Sequence, residues 1–157
     1  MFTIKWHARL LSLLAFSMIA CVDAAPQQEV EAEEDLQSFL STYFNWQFVD
    51  AEKWVTPSSR PLLAFAASQI TENDLQLLRS KETPVETNIE RLTISADTLA
   101  EAVVCVRNAM VMKTIGTPCQ LVPEQTYYLR ITKTPQSTHW LVDLSTLTPC
   151  PSSTSHR

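Results

Sequence analysis

The side chains that could do chemistry in this chain are few and far apart. Of three histidines, His7 falls in an N-terminal stretch expected to be removed and His156 in a Ser/Thr-rich tail, which leaves His139. A strand through 138–147 puts His139 and Asp143 on one face. Four residues of strand separate them by roughly 13 Å, so they cannot share a proton as a dyad. Arg107 or Arg130 on a neighbouring strand is the expected partner of Asp143, as opposite charges commonly pair across strands. One usable histidine without paired ligands falls short of the three or four donors a zinc ion needs. No catalytic residue, metal site or cofactor is therefore expected, and the chain reads as a non-enzyme.

The other reactive groups are thiols. Cys21 lies near the end of the N-terminal stretch; Cys105, Cys119 and Cys150 follow, with no Cys-x-x-Cys spacing of the redox or zinc type. In an oxidising compartment three thiols allow one disulfide and one free group. Gly116 is the only glycine. Phosphate loops, dinucleotide fingerprints and nucleophile elbows all need several glycines, so these classes of nucleotide enzyme and hydrolase are excluded.

The compartment comes from the first residues. Lys5 and Arg9 precede an uncharged run of 11 residues, Leu10 to Ala20. That length suits the core of a secretory signal and is too short to span a bilayer. Val22 and Ala24 occupy the two positions read by a signal peptidase, so cleavage after Ala24 is one expected outcome. Met18-Ile19-Ala20-Cys21 also resembles a lipoprotein processing site, which makes Cys21 a lipidation candidate. Either way the protein is expected to be exported, to a periplasmic space, soluble or tethered by a lipid. Removing 24 of the 157 residues leaves 133, with 10 of the 12 basic and 16 of the 17 acidic side chains, a net charge of −6. A chain this acidic, without a basic patch, is a poor partner for nucleic acid or anionic membranes.

The elements that position these groups divide into two halves. After a linker at 25–28, the acidic run Glu29, Glu31, Glu33, Glu34 and Asp35 suits the positive end of a helix. Leu36, Phe39, Leu40, Tyr43 and Phe44 trace one helical face, and the first helix is expected over Glu29 to Phe48. A short segment follows over Asp50 to Val55. Ser58 or Ser59 can then cap a helix with Pro61 in its first turn. Thr71 and Asp74 form a capping-box variant for another short helix through about Lys81. Beyond Pro84 the pattern changes to strands at Ile89–Ser95, Leu99–Lys113, Gln125–Thr134 and Thr138–Leu147. Thr114 to Glu124 is expected to be a loop.

Strands that follow one another without helices form an antiparallel meander. One apolar face would carry Leu92, Ile94, Val104, Val106, Met110, Met112, Tyr127, Leu129, Ile131, Trp140, Val142 and Leu144. The expected fold is α+β: N-terminal helices on a curved four-stranded antiparallel sheet, one domain over 29–150, with a disordered tail at 151–157. In that meander the end of the last strand lies beside the 114–124 loop. A Cys119–Cys150 disulfide is then expected, with Cys105 free in mid-strand.

Leu36-Gln-Ser-Phe-Leu-Ser-Thr-Tyr43, then Phe48-Val-Asp-Ala-Glu-Lys-Trp-Val-Thr-Pro57, and His139-Trp-Leu-Val-Asp-Leu144 as a closing strand resemble the nuclear transport factor 2-like superfold. The resemblance covers most of 29–147. It implies a cone-shaped sheet and points to two exported branches: periplasmic domains of type IV secretion and conjugation assembly, and lumazine-binding-like small lipoproteins. A non-enzymatic binding or assembly module of the cell envelope, with an envelope protein as partner, is the resulting expectation. The alternative is a periplasmic small-molecule carrier, or a cryptic enzyme, using the cone. Tyr43, Trp46, Trp54 and Trp140 are the candidates to line such a pocket or an interface.

Overall fold

A computed structural model describes residues 26–151. The signal segment, Cys21 and the tail from 152 onward lie outside the described residues. Helix α1 spans Gln27–Phe44, α2 Phe48–Ala51, α3 Arg60–Ser68 and α4 Glu72–Ser80, with single 3-10 turns at Glu52–Trp54 and Pro57–Ser59. Strands β1 (Glu86–Ala96), β2 (Leu99–Met112), β3 (Cys119–Lys133) and β4 (Trp140–Pro149) follow. They form one curved antiparallel sheet in the order β1-β2-β3-β4, a meander with α1 packed on one face. The helix begins inside the stretch expected to be linker.

The core joins α1 to the sheet. Ala32, Leu36, Phe39, Leu40 and Phe44 recur at helical spacing and are buried against Val104, Val106, Tyr127, Leu129, Ile131, Trp140 and Val142. Fully burying an aromatic or branched aliphatic side chain contributes about 1.5–3 kcal/mol, so this seam fixes the helix on the sheet.

Helix α1 ends four residues short of the expected Phe48. The Gln47 N–H donates to the Thr42 carbonyl at 2.9 Å and the Trp46 N–H to that of Tyr43 at 3.1 Å. Together these bonds make a Schellman stop, with Trp46 at the left-handed position usually held by glycine (φ +59°). A chain with one glycine closes this helix with a tryptophan instead. At the start of α3, Ser59 makes no side-chain cap to the helix. Its hydroxyl accepts the Leu144 N–H at 2.9 Å and bonds the Thr56 hydroxyl at 2.8 Å. It therefore ties the helical half to β4, where Val55 also forms a parallel bridge to Val142.

The strands depart from the sequence expectation in three places. First, β3 begins at Cys119, so only the residues between Met112 and Cys119 form the loop. Pro123 lies opposite Asn108 at a gap in the β2–β3 pairing, and β4 pairs with β3 only as far as Tyr127. Residues 119–125 are therefore an edge, among the described residues, while Pro123 itself is tolerated because the ladder to β2 is open at Asn108. Second, the apolar phase changes at Asn108 (φ +54°). Ala109 and Val111, not Met110 and Met112, join the main core cluster. Third, β4 is bent. Tyr128 pairs with Thr148 and Arg130 with Asp143, so Leu129 alone faces Leu144–Leu147. The Arg130 N–H donates to the Thr146 hydroxyl at 2.8 Å across this bulge. Such insertions bend a strand and re-aim its side chains.

The longer β3 also corrects the disulfide. Cys119 pairs with Met112 at one end of β3, whereas the Cys150 N–H donates to the Thr126 carbonyl. Seven strand residues, roughly 23 Å, separate these positions, so Cys119 and Cys150 cannot be bridged. Cys105 pairs with Thr126 from the other side. It stands two strand spacings from Cys150, about 10 Å, again beyond disulfide reach. All three thiols are free, and Cys105 is buried.

Candidate functional site

The end of α1, the left-handed Trp46 and the bent β4 together leave space between helices and sheet. Tyr43 and Phe44 close one side. Leu62, Ala66 and Ile70, along or just beyond α3, close another. The far end of β2 and its hairpin, from Met110 to Ile115, form the floor, with Tyr127, Leu144 and Leu147. The cavity measures about 470 Å³, within the usual range of small-molecule sites. Its wall is dominated by aromatic and aliphatic side chains.

Trp46 is held in the cavity wall by its indole N–H, which donates to the Met110 carbonyl at 3.2 Å. Tyr43 stacks on Phe39 with ring centroids 5.1 Å apart and meets Phe48 edge-on at 5.9 Å. Phe44 and Tyr127 lie 5.4 Å apart. These contacts lock both tyrosine rings in place. Neither tyrosine hydroxyl has a hydrogen-bond partner among the described residues, although both rings line the cavity. Burial pushes the Tyr43 phenol up to about 12, with the nearby Tyr127 phenolate adding to the effect; burial alone pushes Tyr127 up to about 12. Both stay neutral at ordinary pH and can donate to, or accept from, a guest molecule.

The four aromatic candidates separate into three places. Tyr43 and Trp46 come to the cavity. Trp140 is 1% exposed in the main core, and its indole N–H has no partner among the described residues. Trp54 lines a shallow polar groove with Gln37, Ser41, Asp50 and Lys53, and its ring meets His139 edge-on at 5.1 Å.

His139 is not alone. Its Nδ1 lies 2.9 Å from Oδ1 of Asp35, and the second oxygen of Asp35 accepts the Trp140 N–H at 2.8 Å. Asp143 is too far along the strand to reach His139, but Asp35 reaches it from α1. Nothing in the acidic run set Asp35 apart as a charge. Its place one residue before Leu36, on the apolar stripe, was the available signal. Asp143 stands opposite Arg130 in the β3–β4 register but forms an ion pair with neither arginine. It accepts the Ser145 hydroxyl at 2.6 Å, while Arg107 pairs with Glu124 at 2.6 Å and Arg130 approaches Glu101 at 3.9 Å. Both arginine pairs cross the outer face of the sheet between β2 and β3.

Cys119 lies in a second hollow, between α4 and the free half of β3, with Leu77, Lys81, Met110 and Leu121. Burial, and then the Asp74 carboxylate, push its thiol up to about 11, so it is a poor nucleophile. Burial first, then neighbouring charges, also raise Cys105. No cluster of three metal-ligating side chains occurs, and no helix is long and apolar enough to cross a membrane, among the described residues. Comparison with protein-family models, curated proteins and solved structures finds no match to this chain.

Proposed function

We propose that this domain is a small-molecule-binding module of an exported protein and that its ligand enters the cavity between the end of α1, α3 and the bent β4. One observation carries the reading: an aromatic cavity of about 470 Å³ holds two tyrosine hydroxyls that the protein leaves without partners. Neither hydroxyl is sealed in the packed interior, so both stay open to bond a guest that enters the cavity. The nuclear transport factor 2-like assignment belongs to the same proposal. It is supported by helices packed on one face of a curved meander, with a cavity between them and the sheet.

The test uses a neutral apolar dye, N-phenyl-1-naphthylamine, with the mature chain. The dye brightens on entering the cavity. Ala66→Trp fills the space from α3 and removes the response while far-UV circular dichroism stays native. An unchanged response in a folded Ala66→Trp protein overturns the proposal.

A second reading, an envelope assembly module, is supported by the other hollow. Leu77 and Leu121 face it and are 55% and 56% exposed. Large apolar side chains grouped on a surface commonly mark contact with another protein. Site-specific photocrosslinking from residue 121 in cell-envelope extracts tests it; a single reproducible crosslinked band is expected, and its absence counts against this reading.

A further inference from the structure

The polarity of the cavity wall defines the guest more closely, and the following rests on the small-molecule reading above. The chain is acidic, with 17 Asp and Glu against 12 Lys and Arg. Its cavity has the opposite sign. No Asp or Glu lines it, and its one ionised side chain is Lys113, at the end of β2 where the wall opens to solvent. Lys113 forms no hydrogen bond or ion pair among the described residues, whereas Lys53 and Lys133 pair with Asp50 and Glu31. Ser145 and Thr148 on β4 are exposed on the same lining and add neutral hydroxyls to the rim. Behind this polar edge the wall turns aromatic and aliphatic.

We propose that the cavity binds an amphipathic monoanion, with its apolar part among Tyr43, Phe44, Trp46 and Leu62 and its anionic head at Lys113. The shape fits such a molecule. At roughly 30 Å³ per water, the space equals about sixteen waters, enough for a chain of ten or so carbons and a head group. An ammonium head would meet Lys113 with like charge and find no carboxylate in the lining. A neutral molecule of the same length would bury the same chain without the Lys113 contact.

Competition against bound N-phenyl-1-naphthylamine separates these cases, using decanoate, decyl sulfate, decanol and decyltrimethylammonium. Decanoate should displace the dye at lower concentration than decanol, and decyltrimethylammonium should be weakest. Decyl sulfate tests whether the head must be a carboxylate. A partly exposed ion pair contributes modestly, so Lys113→Gln should weaken decanoate about three- to fivefold and leave decanol unchanged. Lys113→Glu should reverse the order of decanoate and decyltrimethylammonium. Lys113 is exposed and unpaired, so both variants should fold as the parent does. If the dye binds but decanoate and decanol compete equally, or Lys113→Gln weakens both alike, the anion proposal fails and the cavity reading survives. If the dye does not bind at all, both fail.

Discussion

Substitution of Trp46 distinguishes two backbones by the sign of a stability difference. Were α1 continuous to Phe48, residue 46 would be an interior helical position, where alanine is favoured over glycine by about 1 kcal/mol. In the structure residue 46 has φ +59° and closes the helix, and there glycine is favoured over alanine by a similar amount. Either substitution also removes the indole N–H bond to Met110, about 0.5–1.5 kcal/mol, and the packing of a half-buried ring. Trp46→Ala should therefore cost about 2–4 kcal/mol. Trp46→Gly should cost about 1 kcal/mol less than Trp46→Ala. In a domain of this size that gap separates the two midpoints by about 3–6 °C. Urea and thermal unfolding followed by far-UV circular dichroism measure it, independently of the missing fluorophore. An alanine variant at least as stable as the glycine variant would refute the helix stop. Both variants also remove part of the cavity wall and should weaken dye binding.

Other expectations follow from the same contacts. Absorbance titration should show two of the three tyrosines ionising near pH 12. Because their folded pKa values lie above the unfolded value of about 10, their contribution to stability is full below pH 10 and lost as pH rises toward 12. Flat stability over that window would contradict their burial. Asp35→Ala leaves the buried Trp140 N–H without its acceptor and should cost about 1–3 kcal/mol in urea unfolding. His139→Ala, on the exposed side of the same pair, should cost under about 1 kcal/mol. Equal costs would show that the histidine, not the backbone contact, fixes β4 to α1. Alkylation of the unreduced, denatured protein should label Cys105, Cys119 and Cys150 alike. A Cys119–Cys150 linked peptide would overturn the β3 register.

Much of this architecture was legible because its causes are periodic. The 3, 4 spacing of Leu36, Phe39, Leu40 and Phe44 gave α1 its buried face. Alternation gave β2 and β3 theirs, and the absence of helices after Pro84 gave the meander. The failures share a cause: each is a contact between distant segments overriding a local preference. Trp46 and Asn108 adopt left-handed backbones that glycine would have announced. Pro123 sits inside a strand because the β2–β3 ladder opens opposite it, at the left-handed Asn108. Ser59 serves Leu144 across the domain in place of its own helix. The site was half legible: Tyr43 and Trp46 were among the aromatic candidates, but the cavity depends on the β4 bulge, which no residue type in Leu144–Leu147 signals. The place of Asp35 on the apolar stripe marked it as buried but did not reveal its partner, His139, which lies 104 residues away.

The unpaired half of β3 has a consequence for the protein's behaviour in concentrated solution. Residues 119–125 offer backbone donors and acceptors that another copy could extend into a continuous sheet, and Leu121 adds an apolar contact beside them. Pro123 does not blunt that edge, because its nitrogen faces Asn108 on β2, and the Glu124 carboxylate is already held by Arg107. The edge therefore keeps its full set of donors and acceptors, and in concentrated solution a second copy could pair with it strand to strand.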